Sequence, residues 1–208
     1  MYDLHTHSIF SDGELIPSEM ARRMACKGNK GFAITDHADF SSISFILSNL
    51  RKLELDIDFL IGVEITHVPP KLIGRACKLA WDEGAEVVIV HGETIAEPVA
   101  EGTNSAALDS DINILAHPGL IGEKEAEKAK DKGIFLEISA KKGHSLANGH
   151  VARISDAVGC ALVIDTDAHL PSDIIDDEMA SRILMGAGLK DWRKVLDNNE
   201  SLFRKLKK

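Results

Sequence analysis

Seven short apolar runs, each ending in polar residues and each followed by a helical stretch, leave this chain few folds to choose from. The runs are residues 1–7 (MYDLHTH), 31–37 (GFAITDH), 58–66 (DFLIGVEIT), 86–92 (EVVIVHG), 112–118 (INILAHP), 133–139 (GIFLEIS) and 161–169 (ALVIDTDAH). Most are too short for helices and several are rich in Ile and Val, which predicts strands. Between them, residues 17–28 open with Pro17 and stop at Gly28, the usual punctuation of a helix. Residues 69–84 and 123–133 also stop at a glycine, 149–159 and 172–188 continue the pattern, and a charged helix at about 190–207 closes the chain. Strand–helix alternation with short connections predicts parallel βαβ units in an α/β fold. No linker or low-complexity segment interrupts residues 1–208, so one domain is expected.

The polar strand ends decide between an open sheet and a barrel. Of nine histidines, His7, His37, His67, His91, His117 and His169 lie at predicted strand ends or just beyond them. His5 stands two residues before His7, so both side chains share one face of the strand. Glu64 ends the third strand and Asp167 stands two before His169. A parallel barrel gathers the C-terminal ends of its strands at one mouth, whereas an open sheet spreads them along a crevice. A closed or nearly closed barrel is therefore favoured, with imidazoles and carboxylates clustered at the mouth. That donor mixture suits Zn, Mn or Fe, and its size implies two or three ions. His67 follows Glu64 by three and is expected to face elsewhere. Asp36, adjacent to His37, is expected to be structural.

Composition narrows the function classes. The formal net charge is −9, which opposes stable binding to nucleic acid. Cys26, Cys77 and Cys160 form no CxxC pair, so neither a disulfide framework nor a zinc ribbon is expected. Free thiols fit a reducing cytosol. The N-terminus carries no signal-peptide pattern and no apolar stretch approaches the ~18–20 residues of a membrane span. A cytoplasmic chain that does not enter a membrane is expected.

The motifs HTHSIFSDG (5–13), ITDH (34–37), GVE (62–64), VHGE around His91, AHPG (116–119), LEIS (136–139) and TDAH (166–169) together resemble the PHP family, named for polymerase and histidinol phosphatase domains. The resemblance implies a distorted (βα)7 TIM-like barrel holding up to three divalent metals, and hydrolysis of phosphoesters. It implies a first metal on His5, His7, Glu64 and Asp167, and a second bridged by Glu64 and completed by His91 and His117. A third would sit on Asp12, His37 and His169. Glu137 then reads as a buried acceptor rather than a ligand.

The implied substrate is a small phosphomonoester, as in histidinol phosphatase, hydrolysed by a metal-activated hydroxide. Asp167 and His169 are the candidate general acids, although both are also ligands in this reading. The loop at 140–150 offers Lys141, Lys142 and His144 for phosphate binding, with Asn148 placed to cap the next helix. The alternatives are a nuclease acting on phosphodiesters with the same metals, and an amidohydrolase-type hydrolase. The second usually needs a lysine on strand four, which EVVIVHG lacks. The barrel relative in ribonuclease P lacks most of these ligands and is basic, whereas this chain is acidic.

Overall fold

The computed structural model describes residues 1–207. Eight strands occupy seven positions of one parallel sheet: β1 (Tyr2–Asp3), β2 (Gly31–Ile34), β3 (His37–Ala38), β4 (Asp58–Ile65), β5 (Val87–His91), β6 (Ile114–Ala116), β7 (Phe135–Ser139) and β8 (Leu162–Asp165). The order is β1-β2-β4-β5-β6-β7-β8. Both β2 and β3 pair with β4, so β3 resumes the β2 line after Thr35 and Asp36 and sets His37 opposite Glu64. Helices α1 (Pro17–Cys26), α2 (Ile43–Leu50), α3 (Pro70–Asp82), α4 (Thr103–Asp109), α5 (Glu123–Lys132), α6 (Asn148–Val158), α7 (Asp177–Gly186) and α8 (Trp192–Leu206) make up the helical layer.

Period-two alternation sorts the strand residues. In β5, Val88 and Val90 join the large core beneath the helices, while Val87 and Ile89 join a smaller inner cluster and His91 continues that inward row. In β4, Leu60 belongs to the inner cluster and Glu64 follows four residues later on the same face, with Val63 and Ile65 turned to the helices. In β8, Val163 is inward and Ile164 outward, which carries Asp165 inward as well. The barrel interior is thus apolar at its base and polar at its C-terminal end. Helix α8 contributes Leu202 and Phe203 to the base, where Phe203 meets Tyr2 at 4.7 Å between ring centroids.

Closure between β1 and β8 uses little backbone ladder. One parallel bridge joins Thr6 and Ala168, supported by His7 N–H to the Ala168 carbonyl and Asp167 N–H to the His5 carbonyl, both 2.9 Å. Side chains fill the remaining gap. Asp165 Oδ1 accepts from Leu4 N–H at 2.6 Å, and Asp3 Oδ1 accepts from Thr166 N–H at 3.1 Å. Asn199 of α8 accepts from Ile164 N–H and donates to the Tyr2 and Ile164 carbonyls and to Asp165 Oδ1. The barrel is nearly closed, and a polar seam completes it.

Two helices lie outside the predicted set, α2 and α4, and the stretch 172–188 divides into a 3₁₀ turn at Pro171–Asp173 and α7. Asn148 does not cap α6. Its amide bonds both the N–H and the carbonyl of Ser139, at 3.1 and 2.8 Å, and pins the end of β7 instead.

Candidate metal centre

All nine predicted donors meet at the mouth. His5 Nε2 and His7 Nε2 lie 3.0 Å apart, and both face Glu64 Oε2, at 3.5 and 3.7 Å. Asp167 Oδ1 stands 3.1 Å from His7 Nε2 and 3.9 Å from His5 Nε2. The other Glu64 oxygen faces His91 Nδ1 at 3.2 Å and His117 Nε2 at 3.4 Å. Asp12 Oδ1 lies 3.2 Å from His169 Nε2 and 3.7 Å from His37 Nε2. His7 also comes within ligand range of that last group. Glu64 is therefore central, with one oxygen turned to each of two donor sets.

Neighbouring side chains fix which ring nitrogen faces inward. Glu137 Oε2 holds His5 Nδ1 at 2.7 Å, which leaves Nε2 for the mouth. The Asp167 carbonyl holds His169 Nδ1 at 2.9 Å. His37 Nδ1 lies 2.7 Å from both Thr66 Oγ1 and Glu64 Oε2, so its Nε2 points to Asp12. Asp36 accepts from the N–H and hydroxyl of both Ser8 and Ser11 and so shapes the loop that presents Asp12. His117, Asp167 and His67 have left-handed backbones, φ 26°, 51° and 52°, uncommon outside glycine. Gly119, two residues after His117, has φ 61°, and a Cβ there would collide with the Glu93 carbonyl.

The chemistry of the donor set tests whether a metal fits. His7 Nδ1, His91 Nε2, both ring nitrogens of His117 and Asp167 Oδ1 are buried with no hydrogen-bond partner. Buried polar atoms are ordinarily paired, because desolvation without a partner costs about 1–3 kcal/mol each. These five atoms stay without a partner although the donors around them crowd within 3–4 Å, as expected of ligands directed at shared points. The residues present fit divalent cations.

Charge coupling follows the same geometry. Burial alone would push His5 down, but Glu64, Glu137 and Asp167 hold it well above the usual imidazole value. Burial likewise opposes ionisation of Glu64, yet His5, His37 and His91 hold it well below the usual carboxylate range. Asp167 is lowered against its burial by His5, His7 and His117. Burial carries His7 down to about 3 despite Asp167. The mouth thus contains ionised carboxylates among histidines that differ sharply in basicity.

Three donors fall outside the predicted ligand set. His67 was expected to face elsewhere, but the left-handed turn after β4 swings its ring to 5.1 Å from that of His91. Glu97, in the loop after β5, places Oε2 3.2 Å from His91 Nε2 and 3.9 Å from His67 Nε2. His144, expected to contact substrate, stacks on His117 at 4.1 Å and sets Nε2 3.5 Å from Asp167 Oδ2. Glu97 lies six residues beyond a strand end, and no spacing rule marks it. Of the two loop lysines, Lys141 Nζ faces Asp173 at 3.3 Å, while Lys142 is exposed. A cavity of about 600 Å³ between α6 and the α7–α8 turn, lined in part by Arg153, Asp156, Lys190 and Lys194, includes none of the mouth donors.

Comparison with known proteins places these features in context. A family model described as "PHP domain" matches residues 3–97. An uncharacterized protein of Methanocaldococcus jannaschii is 47% identical over 95% of this chain and 93% of its own length. The DNA polymerase/3'-5' exonuclease PolX of Bacillus subtilis is 26% identical over 94% of this chain and 38% of its own. A probable phosphatase of Thermoanaerobacter is 26% identical over 91% of this chain and 87% of its own. Among solved structures, a chain of archaeal ribonuclease P with mature tRNA superposes with TM-score 0.72 at 15% identity, covering 98% of this chain and 90% of that one. A histidinol phosphate phosphatase of Lactococcus lactis, complexed with zinc, L-histidinol and phosphate, gives 0.53 at 16% identity, covering 99% and 93%. No described helix is long and apolar enough to cross a membrane.

Proposed function

Since the chain belongs to the PHP domain family, we propose that its barrel mouth is a centre of two or three divalent metals that hydrolyses small phosphomonoesters. The observation that carries this reading is the convergence of His5, His7, Asp12, His37, Glu64, His91, His117, Asp167 and His169, with buried nitrogens lacking any hydrogen-bond partner. The relative named as a probable phosphatase and the zinc- and phosphate-bound structural neighbour support a hydrolase. Bound ions would activate water, polarise the phosphoryl group and stabilise the leaving oxygen.

The chain's own residues do the rest. Glu64 orients two donor sets through its two oxygens. Glu137 fixes the His5 tautomer. Three ligand carboxylates against two or three divalent ions leave positive charge for a phosphate dianion. Asp167 is held ionised and so serves as a ligand rather than a proton donor. His169 Nδ1 is taken by the Asp167 carbonyl and its Nε2 faces Asp12 as a ligand, so the leaving oxygen would draw its proton from water. Lys142 is free to meet the phosphate from the loop after β7.

The polymerase/exonuclease relative favours a second reading, cleavage of nucleic-acid phosphodiesters. Charge and surface oppose it. The net charge is −9, and the exposed large apolar residues of the loops after the strands are Ile9, Ile16, Phe40, Ile95, Leu120, Leu146 and Leu170, a single aromatic among aliphatics. Single strands are held on basic grooves with aromatic platforms. The test is phosphate release from p-nitrophenyl phosphate against cleavage of single-stranded DNA, each with Mn²⁺ or Zn²⁺. Phosphate release without DNA cleavage is expected, and the reverse would replace the first reading with the second.

A further inference from the structure

The loops after β5, β6 and β7 form an apolar rim on one side of the mouth, and we propose that the phosphomonoester hydrolysed there is the ester of an apolar, hydrocarbon alcohol, a reading that rests on the phosphatase assignment above and narrows its substrate class. Ile95, Leu120 and Leu146 make the rim and are 51%, 67% and 74% exposed. They stand four, three and two residues after His91, His117 and His144. At most about 14 Å of extended chain therefore separates each from its imidazole. The rings of those histidines are neighbours, with centroids 4.5 Å apart for His91 and His117, 4.1 Å for His117 and His144, and 6.0 Å for His91 and His144.

Single exposed apolar side chains are ordinary on a protein surface. These three differ because the loops that carry them are tied together. The buried Asn104 side chain accepts from Glu93 N–H and donates to the Pro118 carbonyl, both at 2.9 Å, which joins the loops after β5 and β6. Thr94 Oγ1 lies 2.7 Å from His144 Nδ1, which joins the loops after β5 and β7. His150 Nε2 donates to the Ile121 carbonyl at 2.8 Å and ties the start of α6 to the loop after β6. The rim is one fixed surface rather than three separate loop tips. Beneath the donors the barrel is filled by Leu60, Val87, Ile89, Ile114 and Val163. A phosphate at the donors can therefore carry its alcohol only outward, between the loops. An alcohol lying along this side of the mouth buries hydrocarbon on Ile95, Leu120 and Leu146, and each methylene fully buried favours binding about fourfold. A sugar or polyol would exchange water for aliphatic surface and lose hydrogen bonds there.

Phosphate release from methyl, butyl and hexyl phosphate and from glycerol 1-phosphate, each with Mn²⁺, tests the rim. Straight-chain alcohols are leaving groups of nearly equal basicity, so the series varies hydrocarbon contact rather than the chemistry at phosphorus. From methyl to hexyl phosphate kcat/KM is expected to rise about tenfold or more, and butyl phosphate should exceed glycerol 1-phosphate about fivefold or more. The double substitution Leu120→Ser and Leu146→Ser should cut the hexyl-to-methyl ratio to about threefold or less. Met185→Ser, at an exposed apolar residue of α7, should leave that ratio unchanged. A ratio taken on one preparation does not depend on its folded fraction. A flat series in the wild type, or a ratio that survives the double substitution, would overturn the apolar substrate and leave the phosphatase reading standing. Release from none of the esters, by protein shown to hold metal by elemental analysis, would overturn the phosphatase reading and the substrate class with it.

Discussion

Two buried polar clusters adjoin in the same barrel, and they behave differently. At the β1–β8 seam, Asp3, Asp165, Thr166 and Asn199 bond backbone groups and one another, and only Asp165 Oδ2 lacks a partner. At the mouth, five buried atoms of His7, His91, His117 and Asp167 lack one. Burial and polarity are the same in both. Satisfaction of the polar atoms separates them: the seam is a substitute for missing backbone ladder, and the mouth is a set of donors prepared for something else.

Substitutions that strike one cluster and spare the other would break or sharpen this contrast. His117→Ala should lower phosphomonoester hydrolysis by about a thousandfold or more, because it removes a donor to the Glu64-bridged position. The metal-free protein should lose little stability, since neither ring nitrogen of His117 is hydrogen-bonded. Steady-state kinetics and thermal melts on one preparation would show a mistaken assignment if activity survived. Asn199→Ala should do the opposite. It strands four hydrogen-bonding partners at the seam and should cost about 2–4 kcal/mol in denaturant unfolding, with metal binding by the folded fraction intact.

Titration gives a smaller contrast of opposite sign. Burial raises Asp3 to about 6 from 3.8, so its favourable contribution is complete below about pH 4 and is lost as pH rises through 6. Burial lowers His7 to about 3 from 6.5, so its contribution is present above about pH 6.5 and is lost as pH falls toward 3. Over pH 4–6 the two oppose each other in the metal-free protein. Asp3→Asn should make stability rise more steeply with pH in that window. An unchanged slope in chelator-treated protein would show that the seam carboxylate does not titrate there. The smallest effect concerns the loop after β7. Lys142→Ala should raise KM a fewfold with kcat nearly constant, through loss of ground-state binding. An unchanged KM would return Lys142 to the role of a solvated surface charge.

The mouth was more legible in the sequence than the seam, for a physical reason. Period-two alternation projects every second residue inward, so His91, Glu64 and Asp167 could be placed from strand ends alone. Asp3 and Asp165 occupy predicted strands too, but their role depends on a closure gap that no local pattern reveals. Helix α2 was readable in principle, since Ile43, Ile46, Leu47 and Leu50 are buried at helical spacing, but it is only eight residues long and starts a short turn after β3. Seven-residue α4 carries no comparable stripe. His67 and Glu97 escaped because a left-handed turn and a loop, rather than strand alternation, bring them to His91.

The central claim is that the partnerless donors of the mouth are metal ligands, and counting metal tests it most directly. Protein purified, stripped with chelator and dialysed against Mn²⁺ or Zn²⁺ should retain at least two equivalents per chain by elemental analysis, and His117→Ala should retain fewer. Retention of none by the wild type, or equal retention by the variant, would contradict the account.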